Sequence, residues 1–564
     1  MRIALEIVEV NNTELDDVVR RAQEALDEKD ATLIRRVFES YLYVTDLIED
    51  KDTSIRHLRQ LFFGKRTEKT KTVVERHAEK PDAAAVAVSE PEKHLPSEPA
   101  EDNANEPITN AADAADATAP GHGRNGADAY GGAERIEVSH ASLKAGDSCP
   151  SCRRGTVYEK TPGVVVRIIG QPPVSATIYQ LQKLRCHLCG QVFTAAAPAA
   201  AGDRKYDATA GSMIGLLKYG SGLPFNRLAG LQGHLEIPLP ASTQWDIVNA
   251  VAKNLAPVFE ELIRQAAQGE VLHNDDTTIK ILALMGKNSQ QPVPASATGE
   301  PSDADERTGL FTSGVVALRD GYRVALFFSG RKHAGENLAD VLKHRVAELP
   351  PPIQMCDALT RNLPGELKTI VANCLAHARR NFVDVYDRFP EQCRHLLEAL
   401  AVVYHNDATA RKRQLSREAR LQFHQQESAP TMEQLHAWLT RQIDEKLTEP
   451  NSALGGAIGY MLRHWEKLTL FLRQAGAPLD NNVCERALKK AILHRKNALF
   501  YKTQNGAHVG DLFMSLIYTC QLNEANPFDY LTELQRHTDQ LVTEPERWMP
   551  WTYQQTLAPQ RQPA

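Results

Sequence analysis

Carboxylates at three distant positions of this 564-residue chain could together hold divalent metal ions. Asp275 and Asp357 each follow a short apolar run, and Glu485 is the only carboxylate in the basic stretch after Asp480. A two-metal phosphoryl-transfer site requires such hard oxygen ligands, because they hold two cations a few ångströms apart. A single Asp after a strand is usually a turn former. The metal interpretation therefore requires that the fold bring all three carboxylates together.

The residues after Asp480 predict an amphipathic helix with a basic outer surface. Asp480 can cap its amino terminus, and four apolar residues recur at helical spacing: Ala487, Leu488, Ala491 and Ile492. Five basic residues then point outward near Glu485: Arg486, Lys489, Lys490, Arg495 and Lys496. One interpretation is a plain exposed helix with a Glu485–Lys489 pair, worth about a few tenths of a kcal/mol. The other is a metal-binding carboxylate on a surface that binds phosphates.

Two CxxC motifs predict a structural zinc site. Cys149 and Cys152 form the first pair, and Cys186 and Cys189 form the second. Each pair presents two thiolates from one tight turn, and four thiolates close a tetrahedral shell with no open position for chemistry. Redox-active pairs and free thiols are the competing interpretations. The segment between the pairs is rich in β-forming residues, which favours a zinc-ribbon-like unit.

Four motifs in a fixed order resemble the transposase of the insertion sequence 66 class. They are DDTTIKIL from Asp275, GRKHAGENL from Gly330, CLAHARRNF from Cys374 and LDNNVCERALKKAILHRKN from Leu479. The resemblance covers nearly the whole chain and is specific as an ordered set. It implies an enzyme that cuts and joins DNA phosphodiesters, with a triad of two aspartates and a glutamate. The matching triad is Asp275, Asp357 and Glu485, which would hold two magnesium ions, with manganese as an alternative.

The sequence departs from the family's usual pattern at three places. Asp276 stands where Glu is common, Leu375 where Trp is common and His494 where Gly is common. None of these changes removes a matched carboxylate. The secondary site candidates are Asp276, His377, Arg380, Arg486, Arg495 and Lys496. For His377, a hydrogen-bonded histidine at a helix start is the competing interpretation.

Composition and charge limit the classes of protein that this chain can belong to. A formal net charge of −6 excludes a uniformly basic nucleic-acid coat but permits local basic patches. No run of about 18 apolar residues occurs, so we expect no membrane span. The amino terminus carries early acidic residues, so we expect no signal peptide. Nine cysteines, an odd number, favour a reducing cytoplasm over a disulfide framework.

Composition and periodicity divide the chain into several regions, as its length requires. A helical or coiled-coil region at 1–74 precedes an acidic linker at 75–134 that we expect to be disordered. The later regions are a zinc-ribbon-like domain at 135–200, a helical domain at 201–267, a catalytic domain at 268–376 and 475–540, a helical insertion at 377–474 and a tail at 541–564. The 201–267 domain is either a DNA-binding helix-turn-helix or a plain helical hairpin.

A basic cluster closes the first region and contains Lys65, Arg66 and Lys69. Such clusters are usually solvated surface. In the resembling family, a similar segment closes a helical region that serves DNA binding or multimerisation, which makes these residues DNA-binding candidates.

The catalytic region predicts a ribonuclease-H-like mixed sheet within a multidomain α+β protein. Strands are predicted at 271–273, 279–284, 311–318, 322–328, 353–355 and 369–374, with a helix at about 336–349. This order, with acids after the first and fourth of the main strands, fits that fold.

The favoured function is a DNA transposase that binds terminal inverted repeats and catalyses metal-dependent cleavage and strand transfer. A zinc-containing DNA-binding regulator without catalysis and a nuclease of the same fold are the alternatives. The expected partners are terminal-repeat and target DNA, a second copy of the chain, and accessory proteins encoded by the same element. We expect a bacterial cytoplasmic, DNA-associated location.

Overall fold

The computed structural model describes residues 140–148, 150, 154, 156–158, 171–185, 192–286 and 308–558. The predicted regions 1–74 and 75–134 lie outside these residues, and so do Lys65, Arg66, Lys69, Cys149, Cys152, Cys186 and Cys189. The described residues form two compact units. One comprises 262–279 and 308–491, and the other comprises 140–261, 280–286 and 492–558.

The predicted zinc-ribbon region contains paired backbone segments on either side of both CxxC motifs. Strand β1 (Lys183–Arg185) pairs antiparallel with β2 (Val192–Thr194), and the second motif lies between them. An antiparallel bridge between Ser148 and Thr156 brackets the first motif in the same way. The zinc site itself stays a prediction, because its four cysteines lie outside the described residues.

Helices make up most of the described chain. They are α1 (Ala208–Gly215), α2 (Phe225–His234), α3 (Ala241–Ala267), α4 (Ala334–Leu342), α5 (Leu375–Asp384), α6 (Pro390–Lys412), α7 (Arg417–Glu427), α8 (Ala429–Asp444), α9 (Ala453–Arg463), α10 (Trp465–Leu468), α11 (Asn482–Ala498), α12 (Gln504–Leu522), α13 (Pro527–Arg536), α14 (Thr538–Thr543) and α15 (Tyr553–Leu557). A π-helical turn (Leu216–Gly220) follows α1. No helix among those described is long and apolar enough to cross a membrane.

A five-stranded mixed sheet lies at the centre of the first unit and confirms the predicted α+β class. Its strands are β3 (Val271–Thr278), β4 (Phe311–Arg319), β5 (Tyr322–Gly330), β6 (Ile353–Cys356) and β7 (Ile370–Asn373). The spatial order is β5-β4-β3-β6-β7. Strands β3, β4 and β5 are antiparallel, whereas β6 and β7 run parallel to β3. A tight turn with positive φ at Asp320 and Gly321 joins β4 to β5, as a two-residue hairpin requires.

Two details of the predicted sheet are wrong. Asp275 and Asp276 lie inside β3 rather than after it, because β3 stays paired with β4 as far as Thr278. The predicted strand at 279–284 is a bridge at Ile281 and a 3-10 turn (Leu282–Leu284) instead. The predicted helix at 336–349 begins earlier and ends at Leu342.

The core of the first unit packs the sheet against the predicted helical insertion. Val271, Met355 and Ala372 from the strands are buried together with Phe382 of α5 and further apolar residues of α6, α8 and α9. The opposite face of the sheet contacts α4, where Asn337 Nδ2 donates to Ser313 Oγ of β4 at 2.8 Å. The two faces of β3 therefore meet different helices.

Candidate active site

Strand β3 directs its two adjacent aspartates to opposite faces of the sheet, since successive side chains of a strand alternate. The Asp276 side chain is only 2% exposed, and its Oδ2 lies 2.9 Å from His333 Nδ1. Its Oδ1 lies 3.4 Å from Arg361 Nη2. The side chain of Asp276, a secondary candidate, thus contacts His333 and Arg361 on the α4 side of the sheet. Asp275 is the aspartate that faces the other acids.

The parallel pairing of β3 with β6 brings Asp275 and Asp357 to the same level of the sheet. His273 lies opposite Met355 in this pairing. Each aspartate follows two residues further along its strand direction, where β6 has just ended and β3 continues to Thr278. Although the two residues are far apart in sequence, the register alone makes them neighbours.

The loop after β6 orients the Asp357 carboxylate. Its Oδ1 accepts hydrogen bonds from the Leu359 backbone N–H at 3.2 Å and from Asn362 Nδ2. The backbone carbonyl of Asn362 in turn accepts from Asn274 Nδ2 at 2.8 Å and from Gln354 Nε2 at 2.7 Å. Buried amides of two neighbouring strands thereby hold the loop that positions Asp357.

The Asp275 carboxylate lies in a strongly negative environment. Burial raises the pKa of Asp275 to about 7, the backbone N–H of Asp276 opposes that rise, and the charges of Asp357, Asp276 and Glu485 add to it. This mutual influence requires Asp357 and Glu485 to lie near Asp275. Bringing carboxylates together without a cation is costly, and a divalent metal ion would relieve that cost.

The amino terminus of α11 is tied to β3 by Asn481, which is fully buried. Asn481 Oδ1 lies 3.0 Å from His273 Nδ1, and Asn481 Nδ2 donates to the Asn274 carbonyl at 3.1 Å. In the next turn, the Cys484 thiol donates to the carbonyl of Gly314, the residue paired with Asp275 across β3 and β4. Glu485 lies in the first turn of α11, and this turn packs directly beside the strand that carries Asp275.

Close packing of α11 on the sheet depends on a glycine. A Cβ atom at Gly314 would lie 3.1 Å from the Leu488 side chain. The absence of a side chain at Gly314 lets the helix approach β4 closely, which is what brings Glu485 to the sheet.

His377 is the secondary candidate that the fold brings to the triad. It lies in the first turn of α5, and its Nε2 is 3.8 Å from Glu485 Oε1. At the start of this helix the Leu375 backbone N–H donates to the Leu479 carbonyl at 3.0 Å, just ahead of α11. Glu485 Oε1 is buried and accepts no hydrogen bond from the described residues. A buried carboxylate oxygen that accepts no hydrogen bond and lies near other carboxylates is a suitable ligand for a hard metal ion such as magnesium.

The other secondary candidates are basic residues on α5 and α11. Arg486 is exposed and close enough to His273 to contribute to lowering the pKa of that buried imidazole, which burial, as the largest cause, brings to about 4. Arg380 is half-buried in α5, while Arg495 and Lys496 lie in the last turn of α11. Arg486 is therefore a basic candidate that lies near β3, the strand that carries Asp275.

Sequence reasoning missed the residues that position the triad. Asn481, Asn362 and His273 are polar and buried, and each contacts a neighbour of a triad residue or the residue itself. The available signal was their placement, since polar residues directly before Asp275 and after Asp480 interrupt otherwise apolar segments.

The fold and this site define an α+β protein whose candidate site takes carboxylates from strand β3, the loop after β6 and helix α11. The family model described as "Transposase IS66 family" matches residues 206–509, and the chain belongs to this family. The match covers the sheet, the helical insertion and α11. It confirms the resemblance seen in the four ordered motifs.

Three uncharacterised proteins of Sinorhizobium fredii are similar to the chain. The protein y4hP is 30% identical over 359 residues, which are 60% of this chain and 61% of y4hP. The protein y4jD is 28% identical over 381 residues, covering 65% of this chain and 70% of y4jD. The protein y4qI is 25% identical over 354 residues, covering 60% of this chain and 61% of y4qI. The chain thus matches somewhat less than two thirds of the length of y4hP and y4qI.

Proposed function

We propose that this protein is a DNA transposase that cleaves the ends of an insertion sequence and joins them to target DNA. Its catalytic carboxylates are Asp275, Asp357 and Glu485. The observation that carries this proposal is the meeting of these acids: the β3–β6 register aligns Asp275 with Asp357, and Asn481 anchors α11 beside them. Membership in a transposase family supplies the substrate class.

The domain that holds these carboxylates is, in this proposal, ribonuclease-H-like. Three antiparallel strands followed by two parallel strands, in the order β5-β4-β3-β6-β7, support this assignment. In open sheets, ligands bind beyond the carboxyl ends of parallel strands. Asp275 near the end of β3 and Asp357 just after β6 occupy that edge.

The triad would hold two magnesium ions, with manganese as an alternative. When bound, such ions neutralise developing negative charge and lower the pKa of a coordinated water or 3′-hydroxyl. Asn362 and the Leu359 backbone keep Asp357 in one orientation, and Asn481 keeps the start of α11 on the sheet. The residues themselves therefore supply a preorganised cluster of oxygen ligands before DNA arrives.

Exposed basic residues on α11 suit the phosphate backbone. Arg486 and Lys489 are exposed on the same helix as Glu485. Cationic side chains beside a metal site would position a phosphodiester without reading its sequence. Terminal-repeat DNA, target DNA, a second copy of the chain and accessory proteins of the element are the proposed partners, with Lys65, Arg66 and Lys69 as further contacts to DNA.

A structural zinc ion completes the proposal. Cys149, Cys152, Cys186 and Cys189 would hold it, because thiolates from two tight turns suit tetrahedral zinc. The support is that both CxxC motifs lie between paired backbone segments. A closed four-thiolate shell would stabilise the fold of this region and take no part in cleavage.

The test uses purified full-length protein and labelled duplexes that carry the element's terminal repeats. The proposal expects cleavage at the repeat ends that depends on magnesium or manganese, followed by joining of the cleaved ends to target DNA. Binding without cleavage at any metal concentration would indicate a regulator. Cleavage without joining would indicate a nuclease.

A further inference from the structure

Three metal-ligating side chains of different chemistry meet beside the proposed magnesium site. The Cys374 thiol, an imidazole nitrogen of His377 and a carboxylate oxygen of Glu485 all lie within 4.8 Å of one another. Cys374 caps the start of α5, His377 lies in its first turn, and Glu485 comes from α11. The junction of these two helices therefore builds the cluster.

Each member of the cluster has unused capacity to bind a ligand. Glu485 Oε1 is buried and lacks a hydrogen-bond partner among the described residues, and His377 Nε2 lies 3.8 Å from it. Cys374 is fully buried, and its Sγ accepts the Asn481 backbone N–H at 3.2 Å. Burial raises the pKa of the Cys374 thiol to about 12, although this backbone hydrogen bond opposes the rise, so a bound metal must displace the thiol proton to obtain the thiolate that binds it.

We propose that Cys374, His377 and Glu485 form a site for a zinc-class divalent ion, and that occupation of this site withdraws Glu485 from the magnesium site. Thiolates, imidazoles and carboxylates all bind zinc, and zinc sites with three protein ligands keep an open fourth position. Magnesium prefers oxygen ligands alone, so the sulfur discriminates against it. On binding, the Cys374 thiol releases its proton to solvent and His377 binds in its neutral form.

The distance between the His377 and Glu485 ligand atoms is close to the one that a zinc ion needs, and the Cys374 sulfur lies within 4.8 Å of both. Bond lengths of about 2.0–2.3 Å place two ligands of a tetrahedral ion roughly 3.3–3.6 Å apart. His377 Nε2 and Glu485 Oε1 are 3.8 Å apart, so a shift of about half an ångström suffices for this pair. Both side chains are partly exposed, which leaves room for that adjustment.

The predicted inhibition of cleavage by zinc rests on the proposed function, whereas the predicted binding of zinc does not. A zinc ion bound to Cys374 and His377 would draw Glu485 Oε1, which accepts no hydrogen bond from the described residues, away from a magnesium ion. Free zinc should therefore inhibit magnesium-dependent cleavage.

The binding experiment titrates cobalt(II), a spectroscopic substitute for zinc, into full-length protein that has been dialysed against a weak chelator, which leaves a four-thiolate zinc in place and empties the three-ligand site. Wild-type protein should develop thiolate-to-cobalt charge-transfer absorption. The Cys374→Ala variant should lose it, and His377→Ala should bind at least about 10-fold more weakly, since loss of even an outer-shell partner costs about 10- to 100-fold. Cys393→Ala, which removes another fully buried thiol of the same core, should match wild type.

The two variants keep the test decisive, because His377→Ala still reports on the site if Cys374→Ala misfolds. Cobalt absorption that is absent from wild type, or unchanged in both variants, would overturn the proposal. The activity experiment measures how much zinc inhibits magnesium-dependent cleavage. Inhibition of wild type should need a zinc concentration at least about 10-fold lower than inhibition of His377→Ala or Cys374→Ala. Equal inhibition of all three proteins would refute the link to Glu485. A protein that does not cleave DNA at all would refute the proposed function, and the cobalt titration would still decide the metal site.

Discussion

Replacement of Asn481 by alanine tests how the fold delivers Glu485 to the sheet. The side chain is fully buried and joins α11 to β3 through His273 Nδ1 at 3.0 Å and the Asn274 carbonyl at 3.1 Å. Alanine removes both contacts and leaves two buried polar groups without partners. Each such group costs about 1–3 kcal/mol, so the two together should lower the free energy of unfolding of Asn481→Ala by roughly 2–6 kcal/mol.

The same substitution should reduce catalysis by more than the loss of folded protein explains. A displacement of about 1 Å at a catalytic group can cost about 100-fold in rate. We therefore expect cleavage to fall by about 100-fold at a temperature where the variant is fully folded. Urea unfolding followed by tryptophan fluorescence gives the stability, and single-turnover cleavage of labelled repeat DNA gives the rate.

Asn482→Ala is the matched control, because Asn482 is the next residue and its side chain donates to a local partner, Asp480 Oδ2, at 2.8 Å. Its loss should cost at most about 1 kcal/mol and leave the cleavage rate within a few-fold of wild type. Equal stability of Asn481→Ala and Asn482→Ala would contradict the anchoring role. Wild-type cleavage by Asn481→Ala would refute the claim that this anchor positions Glu485.

Three further predictions concern other parts of the chain. Burial opposes ionisation of Asp407, but His424 and Arg420, with other charges, lower its pKa to about 2. Asp407→Asn should therefore cost about 2 kcal/mol of stability at pH 7, and wild type should lose that advantage as the pH falls from about 4 towards 2, measured by urea unfolding at each pH. Cys186→Ser should lose about one zinc per chain by elemental analysis, and zinc-free wild-type protein would contradict the ribbon. Limited proteolysis should cut the linker at 75–134 first, and protection of that segment in the free protein would count against its predicted disorder.

The helix that carries Glu485 could be predicted because its signal is local. Apolar residues recur at helical spacing from Ala487 onward, and the structure begins α11 at Asn482, whose backbone N–H donates to Asp480 Oδ1 at 3.2 Å. The strands β4 to β7 were predicted for the same reason, from short apolar runs between turn residues. Local patterns of this kind depend on a few neighbouring residues, so these segments have the predicted secondary structure in the folded chain.

Sequence spacing could not show which of Asp275 and Asp276 faces the other carboxylates. Both are acidic and adjacent, and only the pairing of β3 with β4 through Thr278 decides which side chain faces which helix. The resemblance alone favoured Asp275. His333, the partner of Asp276, is 57 positions away along the chain, a separation that no local pattern covers.

The contacts that hold the site together are likewise long-range. Asn481 and His273 are 208 positions apart, and their hydrogen bond exists only after the sheet, the insertion and α11 have assembled. Buried amides such as Asn362 look like ordinary loop residues in the sequence. Sequence reasoning therefore identified the carboxylates, and the structure was needed to identify the residues that position them.

Cleavage by Glu485→Gln measures whether Asp275, Asp357 and Glu485 carry the chemistry. This change keeps the size of the side chain and removes its charge, so metal-dependent cleavage of terminal-repeat DNA should disappear while binding to that DNA persists. Glu348→Gln, at an exposed carboxylate of the same unit, should cleave as wild type does. A folded Glu485→Gln protein that cleaves at the wild-type rate would contradict the account.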